Sequence, residues 1–221
     1  MCDLLGVCSQ QPVTIEMSFT KLMERARTAN PDGWGAVFYE GPDAYIFREP
    51  RPGADSRLAD NLAQCGVPSH LIISHIRKAT QGEVSLQNTH PFCRELNGRL
   101  HSFAFNGDVP AIYDLPLPGD RFMPIGDSDA EYAYCYLLNL LAGADALDDL
   151  QQTSSILYDF GLKLSTMGPA NFLYSDSRRL YAFASRRRYP NKEEYPPGMH
   201  LLSRQCEQLP ASIEHEGLRV Q

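Results

Sequence analysis

His70-Leu71-Ile72-Ile73-Ser74-His75-Ile76, running directly into Arg77-Lys78-Ala79-Thr80-Gln81-Gly82, is the stretch on which the fold turns. The aliphatic run reads as a strongly buried strand, and the residues after it form a long irregular segment to about Gly98. Unstructured stretches of that length inside a compact domain usually carry function or move. Upstream, Leu4 to Cys8 is a short strand. Phe19, Leu22, Met23 and Ala26 recur at helical spacing behind Ser18, a suitable N-cap. Asn30-Pro31-Asp32-Gly33 is a dense turn, and Gly35–Tyr39 with Ala44–Phe47 form a hairpin. Asp55 or Ser56 caps a helix carrying Leu58, Leu62 and Cys65.

Downstream, Leu100–Phe105 alternates as a strand, ending in Asn106-Gly107. Ala130, Ala133, Tyr134, Leu137, Leu138 and Leu141 define the clearest helix, with Asp127 and Ser128 at its start. A second, less regular helix spans about Leu147 to Leu164, and strands at 171–175 and 180–185 flank a turn at 176–179. Few strand pairs are separated by a single helix, so a doubly wound parallel sheet is disfavoured. The order predicts an α+β fold of antiparallel sheets with helices packed on them.

The chain has 221 residues, 43% hydrophobic and 21% charged, enough for a real core and for one domain over 1–221. Twenty Lys and Arg against 27 Asp and Glu give a formal charge of -7, which argues against a partner recognised through phosphate neutralisation, so no nucleic acid is expected. No apolar run approaches the ~18 residues that span a bilayer, and no leader pattern opens the chain; a cytoplasmic protein without membrane contact is expected. Six cysteines at 2, 8, 65, 93, 135 and 206 show no metal-knuckle spacing and read as free thiols. His75 and His90, with Asp32 or Cys93, fit no compact zinc pattern, and neither metal nor cofactor is expected. Arg178, Arg179, Arg186, Arg187 and Arg188 are the one basic cluster, read as a solvated hairpin edge that discourages strand pairing.

Cys2 has two readings. One is a small buried thiol at the start of a core strand. In the other, removal of Met1 leaves Cys2 with the chain's α-amine, whose pKa of about 7.7–8.0 lies near a thiol's ~8.5, so one residue supplies nucleophile and base.

Six segments bear on that choice: Met1-Cys2-Asp3-Leu4-Leu5-Gly6, Asp32-Gly33-Trp34-Gly35, residues 74–82, Asn88-Thr89-His90-Pro91-Phe92, Phe105-Asn106-Gly107 and Gly126-Asp127-Ser128-Asp129-Ala130-Glu131. In this order they resemble the motifs of class II glutamine amidotransferase domains, which are N-terminal nucleophile hydrolases, and in particular their stand-alone branch. The resemblance implies a four-layer αββα sandwich of two antiparallel sheets. It implies Cys2 as nucleophile, Asn106 and Gly107 as oxyanion donors, Arg77 on the substrate α-carboxylate and Asp129 on the α-ammonium. The implied substrate is glutamine or a related γ-glutamyl small molecule. A separate synthetase or acceptor protein would be the partner if ammonia is handed on, since the motifs leave no room in 221 residues for a synthetase domain. A pocket that binds without chemistry is the remaining alternative. Three departures stand out: Phe105 occupies a position usually held by His, Ser128 and Ala130 replace the commoner Thr and Ser, and 186–221 lacks a clear match. With no synthetase domain, Thr80 to Gly98 is expected to wall the leaving-group side.

Overall fold

The structure, a computed structural model, describes residues 2–144, 148–188, 193–196 and 198–203. Its elements are β1 (Asp3–Val13), α1 (Glu16–Ala26), β2 (Trp34–Glu40), β3 (Asp43–Glu49), α2 (Arg57–Cys65), β4 (Ser69–Ile76), β5 (Phe92–Leu96), β6 (Arg99–Gly107), α3 (Asp129–Ala144), α4 (Leu150–Met167), β7 (Ala170–Ser175), β8 (Leu180–Ala184), β9 (Arg187–Arg188) and β10 (Glu194–Tyr195). One sheet has the order β1-β4-β2-β3 and the other β5-β6-β7-β8, with every neighbouring pair antiparallel.

Side-chain alternation along the strands builds the layers. Trp34, Ala36, Phe38, Ile72 and Ile76 turn outward onto α1 and α2, meeting Phe19, Leu22, Met23 and Ala26. Their neighbours Val37, Tyr39, Leu71 and Ile73 turn inward and meet Ala104 and Leu173 of the second sheet. On its far face Phe103, Phe105, Phe172 and Tyr174 pack beneath α3 and α4, against Tyr134, Leu137, Leu138, Leu157, Phe160 and Leu164. α4 comes close because of Gly161, where a Cβ would run into the Phe183 ring. The result is the expected αββα sandwich with three apolar interfaces.

Several local expectations change. Ser18 lies inside α1, which begins at Glu16, and the residue before it, Ile15, makes no side-chain cap. Ser56 does cap α2, accepting from Ala59 N at 3.0 Å. The stretch to Gly98 is not wholly irregular: it contains β5, an edge strand in which only Phe92 and Leu96 are buried. That leaves too little alternation to read, because Arg94 is drawn aside to Glu131 at 2.6 Å. Asn106 and Gly107 are the last residues of β6, paired with Asn171 and Ala170. α4 starts at Leu150 under an Asp149 cap; Leu147, Cys206 and most of 186–221 beyond Arg188 lie outside the described residues or in short pieces.

Gly35 sits in β2 where a Cβ would run into the carbonyl oxygen of His90, a backbone atom that cannot swing away. Gly35→Ala is expected to destabilise by the ~1–3 kcal/mol typical of overpacking. Gly143→Ala, with nothing within 4 Å, should be neutral or slightly stabilising. Denaturant titration of both variants checks this; equal stabilities would contradict the close approach.

Candidate active site

The ends of β1, β4 and β6 converge. β1 pairs with β4 through Asp3↔Ile76, and β2 with β4 through Trp34↔Ile76. Past the paired ends, Arg77 N donates to Gly33 O at 2.7 Å and Asp32 N to Arg77 O at 3.0 Å. Asp32 then caps the chain's exit, its Oδ2 accepting from Ala79 N at 2.8 Å. Buried Trp34 anchors this corner, edge-on to Phe19 and donating Nε1 to Glu49 at 3.1 Å. The motif residues 32–35 and 74–79 are thus two sides of one corner.

Cys2 stands at this corner. Its Sγ accepts from Lys78 N at 3.3 Å and lies 3.5 Å from Lys78 O. Burial pushes the Cys2 thiol up, opposed by the Lys78 N–H and the positive charge of Arg77. Across the sheet interface Asn106 Nδ2 donates to the Cys2 carbonyl oxygen at 2.6 Å. Asn171 Nδ2 in turn donates to Asn106 O at 3.0 Å, fixing the end of β6. Gly107 admits no side chain: a Cβ there would run into Pro169 O and the Phe105 ring.

Arg77 is almost wholly buried, 2% exposed, and its guanidinium is caged by backbone carbonyls: Nη1 donates to Glu83 O at 3.0 Å, Nη2 to Gln81 O at 2.9 Å and Gly82 O at 3.3 Å. Among the described residues no carboxylate neutralises it through a direct bond, so its charge is held in place and available to an anion. Asp129, at the first turn of α3, is likewise held by backbone: Oδ2 accepts from Val109 N at 2.7 Å and Oδ1 from Ala130 N at 2.9 Å. Burial raises its carboxyl pKa and those N–H groups oppose the rise. A cation delivered to it would favour the ionised form. Ser128 supplies the helix cap, accepting from Glu131 N at 3.2 Å.

The turn before Asp129 is pinned by Asn88, which donates to Asp127 Oδ1 at 2.5 Å and to Glu83 O at 3.1 Å, and accepts from Asp127 N at 3.0 Å. Glu131 accepts from Gly126 N at 2.6 Å. Asn88, Gly126 and Glu131 therefore connect the loop over Arg77 to the start of α3.

Cys2, Arg77, Lys78, Thr80, Gln81, His90, Phe105, Gly107 and Ser128–Ala130 line one small cavity of about 20 Å³. Four of the five residues singled out from the sequence, Cys2, Arg77, Gly107 and Asp129, share that wall; the fifth, Asn106, lies behind it on Cys2. The space holds about one water, whereas small-molecule sites are usually roughly 300 Å³ or more. Of the wall expected from Thr80 to Gly98, residues 80–81 and His90 line the cavity. A groove of about 810 Å³ near Tyr39, Tyr45, Val67 and Leu71 lies at the other end of β4 and holds none of these groups.

Phe105, in place of His, is buried and stacks on Phe103 with centroids 6.1 Å apart. It acts as an apolar support for Gly107. His75 Nε2 donates to Phe105 O at 3.1 Å, and its ring centroid lies 4.2 Å from that of His90. Among the described residues no three His, Cys, Asp or Glu are grouped to hold a metal, and no helix is long and apolar enough to cross a membrane. Cys2, Cys8, Cys65, Cys93 and Cys135 are free.

The arginine cluster corrects the expectation of a solvated edge. Only Arg178 fits it, with a side chain 60% exposed. Arg187 pairs with Asp3 at 2.6 Å and Arg188 with Asp108 at 2.9 Å, the residues that follow Cys2 and Gly107. Sequence reading saw the triplet 186–188 but could not see what it faces, because its partners lie far along the chain.

A sequence model described as "Glutamine amidotransferases class-II" matches residues 1–221. YafJ of Escherichia coli strain K12 is 37% identical over 189 residues, covering 84% of this chain and 73% of that protein. A Methanocaldococcus jannaschii protein, MJ1515, named as uncharacterized, is 34% identical over 204 residues, 92% of this chain and 54% of its own length. Among solved structures, a predicted glutamine amidotransferase from Pseudomonas aeruginosa PA01 superposes with a TM-score of 0.62 at 29% identity, covering 84% of this chain and 74% of that one.

The buried histidines set a pH limit. Burial drives His75 down to about 3, His90 well below the usual range and His101 to about 4. Unfolded histidines bind protons near pH 6.5, so the contribution of these three to stability is fully present above that value and is lost as pH falls toward the folded pKa values, by ~1.4 kcal/mol per pH unit for each histidine. Urea unfolding at steps between pH 7.5 and 4.5 should show this decline; flat stability across the range would contradict it.

Proposed function

The chain belongs to the class II glutamine amidotransferases, and on that footing we propose that it hydrolyses the γ-glutamyl amide of glutamine or a related γ-glutamyl compound through Cys2. One observation carries the reading: a buried cation and a buried carboxylate, Arg77 and Asp129, line the same cavity as the Cys2 thiol. An α-amino acid head group presents the matching pair of charges, and its side chain then reaches toward the thiol.

In the proposed reaction Met1 is removed and the α-amine of Cys2 takes the thiol proton. The thiolate sulfur bonds to the γ-carbonyl carbon, and Gly107 N–H with the second hydrogen of Asn106 Nδ2 receives the oxyanion. The amine returns the proton to the leaving nitrogen as the C–N bond breaks, releasing ammonia or an amine. Water then attacks the γ-glutamyl thioester, giving glutamate and the free thiol. The amine supplies what the thiol lacks, since burial holds the thiol up. Arg77 grips the carboxylate as a two-pronged donor and Asp129 the ammonium. The free thiols fit a cytoplasmic setting.

Asn106→Ala is expected to lower kcat by about 10² to 10³ with little change in KM, the usual effect of losing one oxyanion donor. Unchanged kcat would reduce Asn106 to a structural contact with Cys2. Arg77→Lys and Asp129→Asn are expected to raise KM by the equivalent of ~1.5–3 kcal/mol. Wild-type rates for Asp129→Asn on both glutamine and its des-amino analogue would remove that residue from recognition. Glutamine, γ-glutamyl anilides and γ-glutamyl dipeptides assayed side by side should show slow glutamine turnover and at least one better, larger substrate. Glutamine as the best substrate, accelerated by a co-purifying protein, would instead make this a subunit that passes ammonia to a separate synthetase.

A further inference from the structure

The nucleophile and the oxyanion donors sit on different sheets, Cys2 ahead of β1 and Asn106-Gly107 at the end of β6. Catalysis by groups on two bodies requires a fixed distance between them, because a misplacement of about 1 Å can lower a rate ~10²-fold. Two direct links cross this interface close to the site, the Asn106 hydrogen bond to Cys2 O and that of His75 Nε2 to Phe105 O. A further link comes from the short β9–β10 ribbon, through charged side chains.

Arg187 Nη2 donates to Asp3 Oδ1 at 2.6 Å, while Asp3 Oδ2 accepts from Arg25 of α1 at 3.0 Å and from Asn30 at 2.9 Å. The residue after the nucleophile is therefore gripped from the helix layer on one side and from the ribbon on the other. The adjacent Arg188 donates Nη1 to Asp108 Oδ2 at 2.9 Å and holds Glu194 Oε1 through both Nε and Nη2 at 2.8 Å. Glu194 also accepts from Arg186 Nε at 2.8 Å. Asp108 directly follows Gly107, and its other oxygen lies 3.5 Å from Gln81 Nε2, in the loop that cages Arg77. The ribbon itself is anchored to β7: Asn171 donates to both Arg186 O, at 2.9 Å, and Asn106 O, at 3.0 Å.

We propose that Arg187 and Arg188 are positioning residues that fix the nucleophile against the oxyanion donors, Arg187 acting on Cys2 through Asp3 and Arg188 acting on Gly107 through Asp108. Isolated surface pairs contribute little. These differ: the carboxylates of Asp3, Asp108 and Glu194 are only 12%, 21% and 25% exposed, and each accepts more than one hydrogen bond. The division of labour follows from the geometry. Asp3 keeps Arg25 and Asn30 when Arg187 is lost, whereas Asp108 has Arg188 as its one ion-pair partner among the described residues.

The test compares Arg187→Met, Arg188→Met and Arg188→Lys with wild type and with Arg178→Met, a control at the distant 176–179 turn. Four quantities are read: kcat and KM on the best γ-glutamyl amide, the second-order rate of Cys2 alkylation by iodoacetamide, and the thermal midpoint. Arg188→Met is expected to lower kcat at least 10-fold, with KM and alkylation within twofold of wild type, because an oxyanion donor does not take part in alkylation. Arg187→Met is expected to lower both kcat and the alkylation rate. Arg188→Lys should recover only part of kcat, since one ammonium cannot hold Asp108 and grip Glu194 through two nitrogens. Arg178→Met should match wild type. Unchanged kcat and alkylation in both Met variants overturn the proposal, as do losses of both that merely follow a fall in folded fraction. The proposal rests on the amidase reading, but the two fail differently. Absence of turnover in the processed wild type defeats the amidase reading, and wild-type alkylation of Arg187→Met then separately defeats the positioning role.

Discussion

The hydrogen bond from Asn106 Nδ2 to the carbonyl oxygen of Cys2, 2.6 Å long, crosses from one sheet to the other at the point where the chain begins. The packing of the two sheets at this end of the molecule brings those two groups together. The inward faces of the sheets are small enough at Ala104 and Gly6 for close approach, and a Cβ on Gly6 would press on Leu173 at 3.0 Å. Antiparallel pairing of β1 with β4 then places the sulfur of Cys2 on the backbone of Lys78. A sandwich held only by apolar contact would tolerate sliding; polar contacts across its edge do not, since each buried group left unpaired costs about 1–3 kcal/mol.

A second feature is how the charges are kept. Arg77 and Asp129 are both buried, yet among the described residues neither is bonded to an opposite charge; backbone carbonyls hold one and backbone N–H groups the other. Backbone partners orient a charge without cancelling it, which leaves the pair able to attract a zwitterion. The true ion pairs, Asp3 with Arg25 and Arg187 and Asp108 with Arg188, lie one residue away from the reacting groups. Neutralised charges thus support the scaffold, and unneutralised ones face the cavity.

Much of this was legible in the sequence, for identifiable reasons. The strands over Gly35–Tyr39 and Leu100–Phe105 and the helix carrying Ala130 to Leu141 declared themselves because packing on both sides demands mostly apolar residues there. The site residues were found through ordered motifs, and Cys2, Arg77, Gly107 and Asp129 do share a cavity. What stayed hidden depends on distant partners. β5 is an edge strand whose Arg94 answers to Glu131, so its pattern is broken by a contact 37 positions away. Arg187 faces Asp3 across 184 positions, and no local pattern distinguishes it from a solvated arginine.

The central claim is that a γ-glutamyl group passes through covalent attachment to the sulfur of Cys2. Acid quench of the processed protein during turnover, followed by peptide mass spectrometry, tests it most directly. The account predicts a single glutamyl adduct on the peptide that begins with Cys2 and carries no Met1, absent from Cys2→Ala. Steady turnover with the adduct on another residue, or full activity in protein that retains Met1, would contradict it.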